Sequence, residues 1–132
     1  MTAAGERPPA EHPIAQQVTF LDTPDMRRTA DFYERVLGLR LARDQGTCRI
    51  YHVSGSSYVG FCERADAPPQ PQGVVLTLVT DEVDRWCAHL KSHGVEFIKE
   101  PAENPPYRIY NAFVRDPNGY VLEIQRFWEP LV

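Results

Sequence analysis

Apolar and polar positions alternate along this chain, then recur at helical spacing, then alternate again, and the whole order occurs twice. Residues 14–21 read as a first strand, with Val18, Phe20 and Leu21 as its apolar content. Thr23-Pro24-Asp25 opens a helix: Thr23 suits the cap, Pro24 the first helical position, and Asp25 the positive end of the dipole. Met26, Ala30, Tyr33 and Leu37 then fall on one helical face, which Phe32 and Val36 widen, and Gly38 supplies the stop. Residues 39–43 alternate as a half-buried strand. Residues 48–53 and 58–63 make a hairpin around Ser54-Gly55-Ser56.

Residues 64–73 form a linker, which Pro68, Pro69 and Pro71 keep stiff and extended. The same grammar then returns. Residues 74–79 are a strand, and Thr80 caps a helix whose buried stripe is Val83, Trp86, Cys87 and Leu90. Gly94 ends that helix, a short strand covers 95–98, and 101–106 reads as a loop. Two further strands, 108–114 and 120–127, flank Asp116-Pro117-Asn118-Gly119. There Pro117 presets φ for the turn, and Gly119 can take the positive φ that closes it. Asp25 to Gly38 and Asp81 to Gly94 are of equal length, offset by 56 residues, which marks an internal duplication. The expected fold is α+β: two β-α-β-β-β modules, 14–63 and 74–127, in a single domain spanning 14–127. A polar arm over 1–13, expected to be disordered, precedes it, and a tail over 128–132 follows.

Composition narrows the class. A chain of 132 residues is one domain with room for a hydrophobic core. A net charge of −4 argues against a dedicated nucleic-acid surface. No apolar run approaches the roughly 18 residues of a membrane span, and the N-terminus has no apolar stretch of the secretory kind. Cys48, Cys62 and Cys87 are odd in number and show no C-x-x-C spacing, so reduced, mostly structural thiols in a cytoplasm are expected.

Candidate chemistry gathers on the strands. Leu122 and Ile124 share one face of the last strand, while Val121, Glu123 and Gln125 share the other. A mid-strand carboxylate has two readings. Glu123 is either paired with a cation, Arg49 or Arg108, or it is an acceptor or base at the floor of a small-molecule pocket. His52 is the histidine inside a predicted strand, on a face with Cys48 and Ile50. It is either a hydrogen-bonded structural residue or a ligand contact. His89 and His93 stand at a chelating i, i+4 spacing on the second helix, but no glutamate follows His89, and their last-turn placement simply complements the dipole. Tyr51, Phe61 and Tyr110 are core packing or the wall of a cavity for a planar ligand. Arg108, Asn111 and Gln125 are the available polar anchors.

Two segments carry a family resemblance. Asp31-Phe32-Tyr33-Glu34-Arg35-Val36-Leu37-Gly38-Leu39 resembles the FYxxVLGL signature of the vicinal oxygen chelate superfamily. That group includes glyoxalase I, bleomycin-resistance proteins, fosfomycin-resistance enzymes and extradiol dioxygenases. Asp116-Pro117-Asn118-Gly119-Tyr120-Val121-Leu122-Glu123 resembles its closing DPxGxxxE motif, and the likeness covers about residues 15–127. It implies sheets curled into a cup, usually in a homodimer, with a divalent metal at the cup floor. Tested one at a time, the family's ligand positions fall on Val18, Gly60, Val75 and Glu123, and Gln17 reaches the first only through one extra residue. One clear ligand does not make the usual metal centre. On that ligand count the expected function is binding of a small organic ligand, aromatic ones among them, in the cup without that metal; cysteine usage, charge and hydropathy add the expectation of a cytoplasmic protein without nucleic acid or membrane partners. Two alternatives stay open. One is a metal-dependent lyase, isomerase or dioxygenase using Gln17, His52 and Glu123. The other is a metal-free enzyme with Glu123 or His52 as its acid–base group.

Overall fold

A computed structural model describes residues 14–69 and 71–131; the arm expected over 1–13 lies outside the described residues. Strand β1 (Gln17–Thr23) leads into helix α1 (Met26–Ala30), which continues as a π-helix over Asp31–Val36. Strands β2 (Arg40–Asp44), β3 (Cys48–Ser54) and β4 (Ser57–Glu63) complete the first module. The second module has the same order: β5 (Val75–Val79), α2 (Val83–Ser92), β6 (Phe97–Asn104), β7 (Ile109–Arg115) and β8 (Val121–Phe127).

Each module makes one four-stranded sheet, ordered β1-β4-β3-β2 and β5-β8-β7-β6. In both, the first strand runs parallel to the last and the other pairs are antiparallel. The helices cover one face of each sheet. Period-two alternation then decides the core: Tyr51, Val59 and Phe61 from the first sheet join Ala112, Val114, Leu122 and Ile124 from the second in a single buried cluster. The π-helical turn, in which the Leu37 N–H donates to the Phe32 carbonyl at 2.9 Å, widens the buried stripe. As a result Phe32, Tyr33, Val36 and Leu37 are all buried. Gly38 and Gly94 both end their helices at positive φ, 71° and 73°, as the duplication requires.

Two local expectations need correction. Asp25, not Thr23, caps the first helix, accepting from the Arg28 N–H at 3.1 Å. Thr23 is drawn elsewhere, as described below. The segment expected as a loop from Pro101 belongs to β6 as far as Asn104. β6 is an edge strand with a register shift between Lys99 and Ala102, so it tolerates a proline that cannot donate to the ladder.

The modules are joined by buried hydrogen bonds between the Asp116–Gly119 turn and the start of α1. Thr23 Oγ1 donates to Asn118 Oδ1 at 2.8 Å, and Asn118 Nδ2 donates to Thr29 Oγ1 at 2.9 Å. Thr29 then completes a ring to Thr23 at 2.8 Å. Beside it, Tyr33 Oη donates to Asp116 Oδ2 at 2.8 Å, and Asp116 Oδ1 accepts from the N–H groups of Asn118 and Tyr120. Tyr120 Oη closes the junction on the Asp22 backbone.

Removing one member leaves the others buried without partners, so Asn118→Ala is expected to cost about 2 kcal/mol in urea denaturation. Burial pushes the Asp116 carboxyl up, against the lowering by its hydrogen bonds from Tyr33, Tyr120 and Asn118. A raised folded value means stability that is full when the group is protonated and is lost as pH rises through that value. Wild type should therefore gain stability relative to Asp116→Asn as pH falls from neutral toward about 4. A gain in the opposite direction in paired denaturation curves would show that the hydrogen bonds outweigh burial.

Candidate functional site

The faces that the helices leave uncovered hold the candidate chemistry. On the second sheet, alternation along β8 turns Val121, Glu123, Gln125 and Phe127 away from the core. Register sets Thr77 of β5 opposite Glu123 on one side and Phe113 of β7 opposite it on the other. Asn111 pairs with Gln125 across the same ladder.

Glu123 is the centre of a polar cluster. Thr77 Oγ1 donates to its Oε1 and Asn111 Nδ2 to its Oε2, both at 2.8 Å. With the Gln125 amide turned so that its nitrogen faces the carboxylate, it donates to Oε2 at 2.6 Å and to Oε1 at 3.2 Å. Lys99 Nζ stands behind Asn111, donating to its backbone oxygen at 2.8 Å and to its Oδ1 at 2.9 Å. The cluster opens onto a hollow of about 440 Å³ whose other walls are Asn104, Tyr107, Ile109, Phe113 and Phe127. The hollow is mostly apolar with one anchored carboxylate, a composition suited to small-molecule recognition.

The cations expected beside Glu123 are engaged elsewhere. Arg49 lies 3.6 Å from Glu34 and 3.7 Å from Asp44. Arg108 pairs with Glu129 and lies over the Trp128 ring.

Asn111, Gln125 and Glu123 are thus brought together, and the other sequence candidates are not. Tyr51 and Phe61 lie on the covered face with no exposure, packed against Tyr33. Burial, followed by the hydrogen bond to Glu34, pushes the Tyr51 phenol up to about 12. Tyr110 also faces the helix side. Its Oη donates to Asp84 at 2.5 Å, the main cause of a value pushed up to about 12. Arg108 caps the short 3₁₀ turn before β7 in a left-handed conformation, φ 57°. His52 belongs to the first sheet, where its Nε2 donates to the Gly55 carbonyl at 2.9 Å and its ring meets Tyr58. Gln17 turns along β1 to Thr19, 2.7 Å away. Gln17, His52 and Glu123 therefore do not converge. His89 Nε2 donates to the Val36 carbonyl at 2.7 Å, tying α2 to the end of the first helix.

The donor set does not fit the divalent metal that the sequence resemblance implies. Val18 and Val75 carry no donor atoms. Gly60 lies beneath the Phe20 ring, where an added Cβ would come within 2.5 Å of a ring carbon. Among the described residues, no three His, Cys, Asp or Glu side chains gather as a metal would require.

Sequence reasoning missed Thr77 and Lys99. Thr77 had a visible signal, a hydroxyl in mid-strand between Val75 and Val79. Lys99 had none, because its strand was ended at residue 98, just before it, where β6 in fact runs on to Asn104. The thiol expectation also changes: Cys48 and Cys62, opposed on β3 and β4, form a disulfide, and Cys87 alone is unpaired and buried.

If Glu123 served stability, replacing it would be costly. Its three donors are neutral and the site is open to water, so Glu123→Gln is expected to change unfolding free energy by less than about 1 kcal/mol. A larger loss in chemical denaturation would make the cluster a structural element.

Comparison with known proteins places this geometry. A family model described as Glyoxalase/Bleomycin resistance protein/Dioxygenase superfamily matches residues 8–124. Among solved structures, a bleomycin resistance determinant encoded on the transposon Tn5 superposes with a TM-score of 0.71 at 22% identity, covering 85% of this chain and 97% of that one. A glyoxalase/bleomycin resistance protein/dioxygenase from Nocardioides gives 0.68 at 20% identity, covering 91% and 87%. TioX from Micromonospora sp. ML1 gives 0.69 at 20%, covering 84% and 97%. At such identities the structural likeness speaks for the fold alone.

Proposed function

The chain belongs to the glyoxalase/bleomycin resistance protein/dioxygenase superfamily, and from that premise we propose that it binds a small organic ligand over Glu123 without the divalent metal many members use. The observation that carries this reading is the state of Glu123. Its carboxylate is held by Thr77, Asn111 and Gln125, and the matching strand positions Val18, Gly60 and Val75 offer no further donors. All three donors are uncharged, so among the described residues the one acidic side chain of the hollow has no cationic partner within the cluster. A ligand with an N–H or ammonium group on an aromatic or aliphatic body suits one carboxylate among Tyr107, Phe113 and Phe127.

The reading includes a homodimer. Val18 and Phe20 on β1, and Val75 and Val79 on β5, are exposed along the free edges of the two sheets. A second copy packed along these edges would wall each open face into a cup whose mouth stays open to small molecules. The metal-dependent lyase, isomerase or dioxygenase reading draws less support, since it needs Gln17, His52 and Glu123 in one place. A metal-free acid–base enzyme would have to rely on Glu123 alone, with His52 on the other sheet.

Thermal-shift and calorimetric titration against paired aromatic amines and carboxylates tests the proposal. Amines are expected to stabilise the protein, and Glu123→Gln to weaken them at least about tenfold. Equal binding of the carboxylates would overturn the ligand class. Metal analysis of protein purified without a His-tag is expected to find no stoichiometric transition metal; one metal per chain would restore the enzyme alternative.

A further inference from the structure

The first sheet also has an open face, and its chemistry differs from that of the second. Cys48 and Cys62 occupy directly opposed positions of the β3–β4 ladder with Cα atoms 4.1 Å apart. The Glu63 N–H donates to the Thr47 carbonyl at 2.8 Å, flanking the pair. That makes it a non-hydrogen-bonded pair, the register that brings opposed side chains closest. Alternation places both sulfurs on the side of Ile50, Gly60 and Phe20, the face no helix covers, and both residues are partly exposed.

We propose that Cys48 and Cys62 form a thiol–disulfide exchange site on this open face, opened by small thiols and closed by small disulfides while the domain stays folded. The ladder carries the argument. Its hydrogen bonds hold the two strands at this spacing whether or not the sulfurs are joined, so opening the bond requires no strand to move. Access supplies the other half, since attack needs a path to one sulfur. Cys87 provides the contrast within the same chain: it is buried, and burial pushes its thiol up, away from the reactive thiolate.

The exchange balances. A thiolate RS⁻ attacks one sulfur, forms a mixed disulfide, and expels the other cysteine as a thiolate that takes up a proton. A second RS⁻ attacks the RS sulfur of that mixed disulfide, releases the remaining cysteine, and departs as RSSR. Two small thiols are oxidised and the protein disulfide is reduced by two electrons. In a compartment kept reducing by small thiols the pair rests as a dithiol, and an oxidant closes it.

The test uses the full chain without denaturant: reduction with glutathione or dithiothreitol, alkylation with iodoacetamide, and peptide mass mapping. Cys48 and Cys62 are expected to label at least about tenfold faster than Cys87. The far-UV spectrum should be unchanged, and the thermal midpoint should fall by several degrees. Oxidised glutathione should restore the internal bond. In Cys48→Ser, a single glutathione adduct is expected at Cys62, and Cys62→Ser should show the reciprocal adduct. Labelling that appears only after denaturation would overturn the proposal. So would oxidation that ends in cross-linked dimers, or the absence of an adduct in both variants while they melt cooperatively. No organic ligand enters these measurements, so they stand or fall apart from the reading of Glu123.

Discussion

The fold rests on a buried ring of three hydrogen-bonding side chains, Thr23, Asn118 and Thr29, drawn from the two ends of the chain. Sequence separations near 90 residues would ordinarily make such contacts expensive in loop entropy. Here they come as a set. Tyr33 with Asp116, and Tyr120 with Asp22, lie in the same patch, so once the turn docks every partner is supplied at once. The first module's helix cannot be displaced from the second module's turn without leaving several of these groups buried and unpaired.

That junction also explains what the two sequence signatures report. The FYxxVLGL-like segment contributes Tyr33, and the DPxGxxxE-like segment contributes Asp116 and Asn118. The two segments meet through these residues, far from the open sheet faces. Their presence speaks to how the modules are assembled, and only Glu123 at the motif's end reaches toward chemistry. A family with such signatures can keep its architecture while the residues of the open faces change freely, which is how one fold serves many activities.

Much of the architecture could be read from periodicity alone. The duplicated order, the helix stops at Gly38 and Gly94, and the hairpin at Asp116–Gly119 all follow from local chemistry that tertiary packing leaves intact. What failed was local competition. Thr23 has a capping side chain, but the buried ring claims it, and Asp25 takes the cap instead. Pro101 looked like a strand breaker, yet an edge strand with a shifted register accommodates it. At the site, face assignment by alternation worked for Glu123, Gln125 and Asn111. For Tyr51 alternation gave the face opposite His52, but not that this is the face the helix covers, and the same holds for Phe61. No single-sequence signal pairs Thr77 with Glu123 or Cys48 with Cys62, because both pairings are matters of register between strands.

Gly60 lies beneath Phe20, and the two positions therefore do not vary independently. A side chain introduced at 60 meets the outer edge of that ring, 2.5 Å from an added Cβ, and swings a half-exposed ring aside. A donor atom placed at 60 therefore arrives together with a shift of Phe20, so the two residues set the shape of this part of the floor jointly. The ring over the glycine thus fills, on the first sheet, the space that a side chain at 60 would occupy.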